Sequence, residues 1–359
     1  MGKNAKNEVG TIRPKEQVLP AGVLLGDYEI LSPLYRSANC IAYLAINAQE
    51  QQTVVLREFF PVPHVEREPG GCRVVPVAAE KSALVERRRS DFLHKAHCLS
   101  KVNHPGVLPV QRAFAALGTV YTVQPYDHSP TLLQAAPAPE MVTEAWLKAR
   151  LLKLLDALTA LHGAGVLHKS LSLDNILMRQ DGSPVIIGPD DSRETPPEHA
   201  ADALPTLCYR PLELLQAKLP VGPWSDMYSL GGICYRLITG ELPPNCIYRS
   251  YDGVPYRPLT ECPELYGRYS REFLSTIDRA MEIWPQDRWQ NIAEWVQALN
   301  GEKVRHGSRW WGCMGAVLLL SLLLLLLLYA LVQCGAGDGA SAALCPGDIA
   351  PPVACQSFM

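Results

Sequence analysis

His168-Lys169-Ser170-Leu171-Ser172-Leu173-Asp174-Asn175 is the stretch on which the reading of this chain turns. Upstream of it, Leu147, Leu151, Leu154, Leu155, Leu158 and Leu161 recur at intervals of three and four, the spacing that lines one buried face of a helix. Downstream, Asn175 to Met178 and Pro184 to Ile187 are short apolar pieces that suit a small hairpin. The stretch is thus predicted to be a loop between helix and hairpin, and it gathers a His, a Lys, two Ser, an Asp and an Asn in eight residues.

Toward the N-terminus the pattern changes. Residues 1–26 are polar with scattered Gly and Pro, as in a flexible leader. Tyr28 to Leu34, Ile41 to Ile46 and Thr53 to Phe59 carry β-branched and aromatic residues at strand lengths, and Val107 to Phe114 with Thr119 to Val123 add two more strands. Phe92 to Val102 has helical spacing. Past the Pro-rich 130–139 segment, helices are predicted at Trp224 to Thr239, Arg271 to Trp284 and Asn291 to Leu299. The expected fold is α+β and bilobal, with a small antiparallel β lobe over residues 27–125 and a larger, mostly α lobe over 126–300.

The 359 residues are 19% charged with a net charge of −3, which gives no basic footprint for nucleic acid. The run Arg87-Arg88-Arg89 reads as a solvated face. Residues 312–332 are almost wholly apolar, long enough for one transmembrane helix, and follow a basic linker at 301–311 that holds Lys303, Arg305 and Arg309. That polarity predicts a single-pass inner-membrane protein with its bulk in the cytoplasm and a short disordered tail, 333–359, outside. The seven cysteines from Cys40 to Cys262 lack paired spacing and are expected to be reduced. Cys334, Cys345 and Cys355 are an odd number in an oxidising space, which leaves one free thiol or a disulfide-linked homodimer.

The order of these elements and the His168 loop together resemble a bacterial Ser/Thr protein kinase domain across residues 27–300. Val55-Leu56-Arg57-Glu58-Phe59-Phe60-Pro61 resembles the strand that carries the ATP-binding Lys, and His104-Pro105-Gly106-Val107 the turn after the regulatory helix. Cys208-Tyr209-Arg210-Pro211-Leu212-Glu213 resembles the end of the activation segment, and Gly222-Pro223-Trp224-Ser225-Asp226 the start of a central helix. The resemblance implies structural roles for His168, Glu213, Asp226 and Arg288: an ion pair between Glu213 and Arg288, and a tether from Asp226 to the loop backbone.

The positions of chemistry depart from that pattern. Ser170 replaces the base, Arg57 the phosphate-binding Lys, Lys95 the Glu that orients it, and Gly188 the metal-binding Asp. Tyr35, Ser37 and Cys40 stand where three glycines would close over phosphates. Asn175 alone is a poor metal site, with Asp190 or Asp191 as a slipped alternative, so Mg²⁺ is not expected. The Pro125 carbonyl and Asp127 amide still suit an adenine edge, which leaves a pocket for ATP built from Arg57, Asn175, Pro125 and Asp127. Ser192, Thr195 and Thr206 are expected to lie in an ordinary surface loop. The resulting expectation is a membrane-anchored pseudokinase that scaffolds or regulates a protein partner such as an active kinase, a phosphatase or a secretion component. A weak or atypical Ser/Thr kinase, and a relay in which the outer tail senses a signal, are the alternatives.

Overall fold

The structure, a computed structural model, describes residues 17–37, 39–188, 207–216, 218–250 and 256–302. The small lobe is a six-stranded antiparallel sheet in the order β1-β2-β3-β4-β8-β7, from β1 (Leu24–Leu25), β2 (Tyr28–Arg36), β3 (Cys40–Asn47), β4 (Gln52–Phe59), β7 (Arg112–Ala116) and β8 (Thr119–Pro125). A separate hairpin pairs β5 (Val65–Arg67) with β6 (Val74–Pro76), and helix α1 (Ser82–Leu99) packs on β7 and β8. The pattern read from the sequence marks β3, β4 and β8 because each buries more than half of its residues, and the start of β2 because Tyr28 and Ile30 are buried there.

Three features differ from the sequence expectation. The segment from Val107 does not continue as one strand. Leu108 donates its amide to the Ile186 carbonyl at 2.9 Å, Pro109 follows, and pairing with β8 begins only at Arg112. Helix α1 starts at Ser82, ten residues before Phe92, because its first turns are polar and bury only Val85. The 17–26 segment, assigned above to a leader, packs into the lobe: Leu19 and Leu25 are 1% and 2% exposed.

The large lobe is built on α3 (Glu144–Gly163), whose leucine stripe is buried as spaced, and on α4 (Pro223–Thr239). The latter starts with Pro223 in its first turn and stops at Gly240, whose φ of 80° suits a residue without Cβ. It runs close to α6 (Arg271–Ala280), so close that a Cβ on Gly231 would lie 2.8 Å from Met281 Cγ. Helix α6 ends at Ala280, short of Trp284, because Trp284 precedes Pro285 and is held extended. Short α2 (Leu132–Ala135) and α5 (Cys246–Arg249), the hairpin β9 (Ile176–Met178) with β10 (Pro184–Ile186), and α7 (Ile292–Leu299) complete the lobe.

Among the described residues no helix is long and apolar enough to cross a membrane. The span at 312–332 and the tail cysteines lie outside them, as do Asp190, Asp191, Ser192, Thr195 and Thr206. The seven cysteines up to Cys262 are free thiols, and burial pushes the thiols of Cys234 and Cys246 up to about 12.

Candidate functional site

Strand β4 places Arg57 and Glu58 on opposite faces of the sheet, since successive side chains alternate. Arg57 turns toward the large lobe and is 5% exposed. Its Nη1 donates to the Gly188 carbonyl at 3.2 Å and its Nη2 to Cys40 Sγ at 3.5 Å. The cation therefore ties the strand to the segment that leaves β10, and to the last position of the loop that would cover a nucleotide. Lys95 is half-buried on α1, one turn before Leu99.

A Cβ built on Gly188 would meet Arg57 Nη1 at 3.4 Å, Gln124 Nε2 at 3.5 Å and Leu99 Cδ1 at 3.7 Å. A Cβ there makes ordinary van der Waals contacts, so space at that atom does not require a glycine. Gln124, 1% exposed at the end of β8, escaped the sequence reading. Its signal is an amide side chain at the end of a mostly buried strand, immediately before Pro125. Below the linking segment, Leu108, Leu177 and Val185 form a small apolar cluster with Ile187. Asp127 is held by Ser129, whose amide it accepts at 3.0 Å, and by Arg179 Nε at 3.2 Å. Burial works to raise its pKa, but these partners outweigh that and keep the carboxyl below its ordinary range.

The loop at His168 is held from beneath. Asp226, fully buried at the start of α4, accepts the His168 amide at 2.9 Å and the Lys169 amide at 2.7 Å, while His162 Nε2 lies 2.8 Å from the same carboxylate. His162, on the last turn of α3, was not singled out from the sequence. His168 Nε2 reaches the Ile187 carbonyl at 2.7 Å, and Lys169 sits at a φ of 64°. Ser170 Oγ lies 3.4 Å from the His168 carbonyl, within its own loop. Asn175 Nδ2 donates to the Ser170 carbonyl, so the side chain braces the loop and keeps only Oδ1 as a metal ligand. Burial raises the pKa of Asp174. With Gly188 and Ser170 in place of carboxylates, the described residues do not fit a divalent cation. The segment at Pro125 to Asp127 does fit an adenine edge, because Pro loses only its donor.

Burial alone would push the Asp226 carboxyl up, yet the bond from His162, the charges of His162 and His168 and the Lys169 amide hold it below the ordinary 3.8. A lowered folded-state pKa means a contribution present above the unfolded value and lost as pH falls through the folded one. Stability of the full-length chain should therefore fall more steeply below about pH 4 in the native protein than in Asp226→Asn. Urea midpoints measured from pH 2.5 to 6 check this.

Glu213 and Arg288 meet in two parallel contacts, Nη1 to Oε1 at 2.7 Å and Nη2 to Oε2 at 3.1 Å, both side chains fully buried. All four of the architectural residues expected from the sequence are thus in contact with the partners described.

The protein kinase domain family profile matches residues 71–297, a span that begins after β5 and leaves Arg57 outside it. The chain is 26% identical to NUAK family SNF1-like kinase 2 of Rattus norvegicus over 252 residues, 68% of this chain and 37% of that protein. It is 24% identical to CBL-interacting serine/threonine-protein kinase 8 of Arabidopsis thaliana over 240 residues, 64% of this chain and 52% of that one. The chain therefore spans about half or less of the length of these relatives. The solved apo form of PpkA-294 superposes with a TM-score of 0.64 at 30% identity, covering 79% of this chain and 99% of that structure. The profile covers more than half of the sequence, and the chain belongs to the protein kinase domain family.

Proposed function

We propose that this protein is a membrane-anchored pseudokinase, a scaffold or allosteric regulator in protein-phosphorylation signalling. The observation that carries the reading is at Ser170, where a hydroxyl turned to its own loop stands in place of a carboxylate. A positioned base is worth about 10²- to 10⁴-fold in rate, and metal electrostatics supplies much of the rest of phosphoryl transfer. Gly188 offers no metal oxygen, and Arg57 is tied to its carbonyl rather than presented to a carboxylate partner on α1. The same bond is one link between the small lobe and the large one, which suits a protein whose surface, not its cleft, is the working part. A protein partner such as an active kinase, a phosphatase or a secretion component would bind that surface, with 312–332 in the inner membrane and the tail cysteines outside, open to a bond between copies or to an external signal.

A weak or atypical Ser/Thr kinase is the second reading, favoured by the kinase relatives and by the intact His168–Asp226 brace. Incubation of the full-length protein with labelled ATP, Mg²⁺ or Mn²⁺ and a basic protein substrate separates the two. No transfer above background is expected. Transfer that disappears in Arg57→Ala would overturn the pseudokinase reading.

A further inference from the structure

A second concave feature lies behind the segment that joins the lobes. It is a groove of about 730 Å³, within the roughly 300–1,000 Å³ usual for ligand pockets. Three parts of the chain meet there: Leu108 and Pro109 from the stretch that leads into β7, Pro125, Tyr126 and Pro130 from the linking segment, and Arg179 with Asp181 from the turn between β9 and β10. Arg57, Asn175 and Gly188 do not line it, so it is separate from the site built around them. Its walls are largely apolar. The prolines offer rigid ring faces, and the Tyr126 ring stands edge-on to the His128 ring with the centroids 4.7 Å apart. A planar aromatic body suits such walls, because it buries much area and has few torsions to freeze.

The polar atoms decide the charge of the ligand. Asp127 Oδ1 accepts the Ser129 amide at 3.0 Å, and its Oδ2 accepts Arg179 Nε at 3.2 Å. Asp181 accepts the Ser183 amide at 2.8 Å and the Ser183 hydroxyl at 3.1 Å, and Lys153 Nζ, which donates to the same hydroxyl at 2.8 Å, stands by as a counter-charge. Both carboxylates therefore have partners. Arg179 has donors to spare: Nε is taken by Asp127 and Nη1 by the Pro105 carbonyl at 3.3 Å, while Nη2 has no partner among the described residues and the side chain is 42% exposed. A guanidinium arm with free N–H groups selects a carboxylate, with which it forms a charge-assisted hydrogen bond.

We propose that this groove binds an aromatic carboxylate, either a free acid or the C-terminal residue of a protein, with its ring on the proline and tyrosine walls and its carboxylate on Arg179 Nη2. Arg179 holds Asp127 in the linking segment and the Pro105 carbonyl ahead of β7, so an occupant would act on the joint between the lobes. Such a site fits a regulatory protein but does not depend on the absence of phosphoryl transfer, and its failure would leave the pseudokinase reading standing.

The test is calorimetric titration of the full-length protein with indole-3-acetate and with a short peptide that ends in a free phenylalanine carboxylate, each against its amide, which keeps the ring and loses the charge. The carboxylate form is expected to bind at least about tenfold more tightly than the amide. Arg179→Gln should bring the carboxylate probes down to the level of the amides. Pro109→Glu, which sets an acid in the apolar wall without touching the Arg179 bonds, should abolish binding of the carboxylates and carries the test if Arg179→Gln does not fold. The unliganded melting temperature of each variant shows whether it is folded. Binding of the free acid alone supports the site with a small effector, and binding of the peptide supports it with a protein terminus. No binding of either carboxylate, equal affinity for carboxylate and amide, or an unchanged affinity in a folded variant would overturn the proposal.

Discussion

Arg288→Ala is expected to cost the folded state about 3–5 kcal/mol, enough to leave a domain of ordinary stability near unfolding. Arg288 is fully buried and gives every donor a partner: Glu213 through both Nη atoms, the Glu282 carbonyl from Nε at 2.6 Å, the Ile283 carbonyl from Nη2 at 2.6 Å and the Trp224 carbonyl from Nη1 at 3.5 Å. Its guanidinium also lies over the Tyr228 ring, 4.6 Å from the centroid. Removal leaves Glu213 charged and fully buried without its guanidinium partner, although Ser225 Oγ still donates to it at 2.7 Å. The penalty arises mostly from that abandoned charge, not from the lost attraction. The double variant Glu213→Leu with Arg288→Met should therefore recover much of the loss. Urea denaturation of the two proteins decides it, and equal losses would mean that packing around Arg288 dominates.

Glu58→Ala should destabilise the small lobe by a similar amount, about 3–5 kcal/mol. Glu58 is fully buried on the face of the sheet opposite Arg57. It accepts from Tyr43 at 2.8 Å, from Tyr121 at 2.6 Å and from Arg67 Nη2 at 2.5 Å. Burial pulls the Arg67 pKa down, but the adjacent Glu58 carboxylate outweighs it and holds the guanidinium above its ordinary value. Alanine would strand that cation and two phenol groups in a dry core. Glu58→Gln keeps an acceptor and should cost less. The change should also be local: the Leu19 amide, which donates to Tyr43 Oη at 3.2 Å, should lose its protection from hydrogen exchange before the α4 amides do.

What the sequence revealed and what it hid follow one physical rule. The leucine stripe of α3, the β9–β10 hairpin and the ends of α4 are local patterns, set by spacing and by Pro and Gly, and all are legible. The His168 loop is legible because its residues are consecutive. Hidden were features in which the partner is far along the chain: Glu58 with Arg67 and Tyr121, His162 with Asp226, and Gln124 near Gly188. The first turns of α1 were hidden for a different reason, since a helix whose exposed face carries Arg87 and Glu86 has little apolar period to show. The substitutions at Arg57, Lys95, Ser170 and Gly188 were visible as losses. Only the structure turned them into a positive arrangement, by putting a guanidinium beside the carbonyl of the residue that lost its carboxylate.

The N-terminal seam sets where a working fragment has to begin. Arg67 Nε donates to the Gln17 carbonyl at 2.7 Å, and Leu19 fills the core beside Tyr43. A gene fragment opened at Tyr28, where the first long strand starts, would encode every sheet strand but β1 and still omit the plug over the Glu58 cluster. Such a fragment should express as a lobe with a wet, charged hole and should aggregate, whereas one opened before Gln17 keeps the seal.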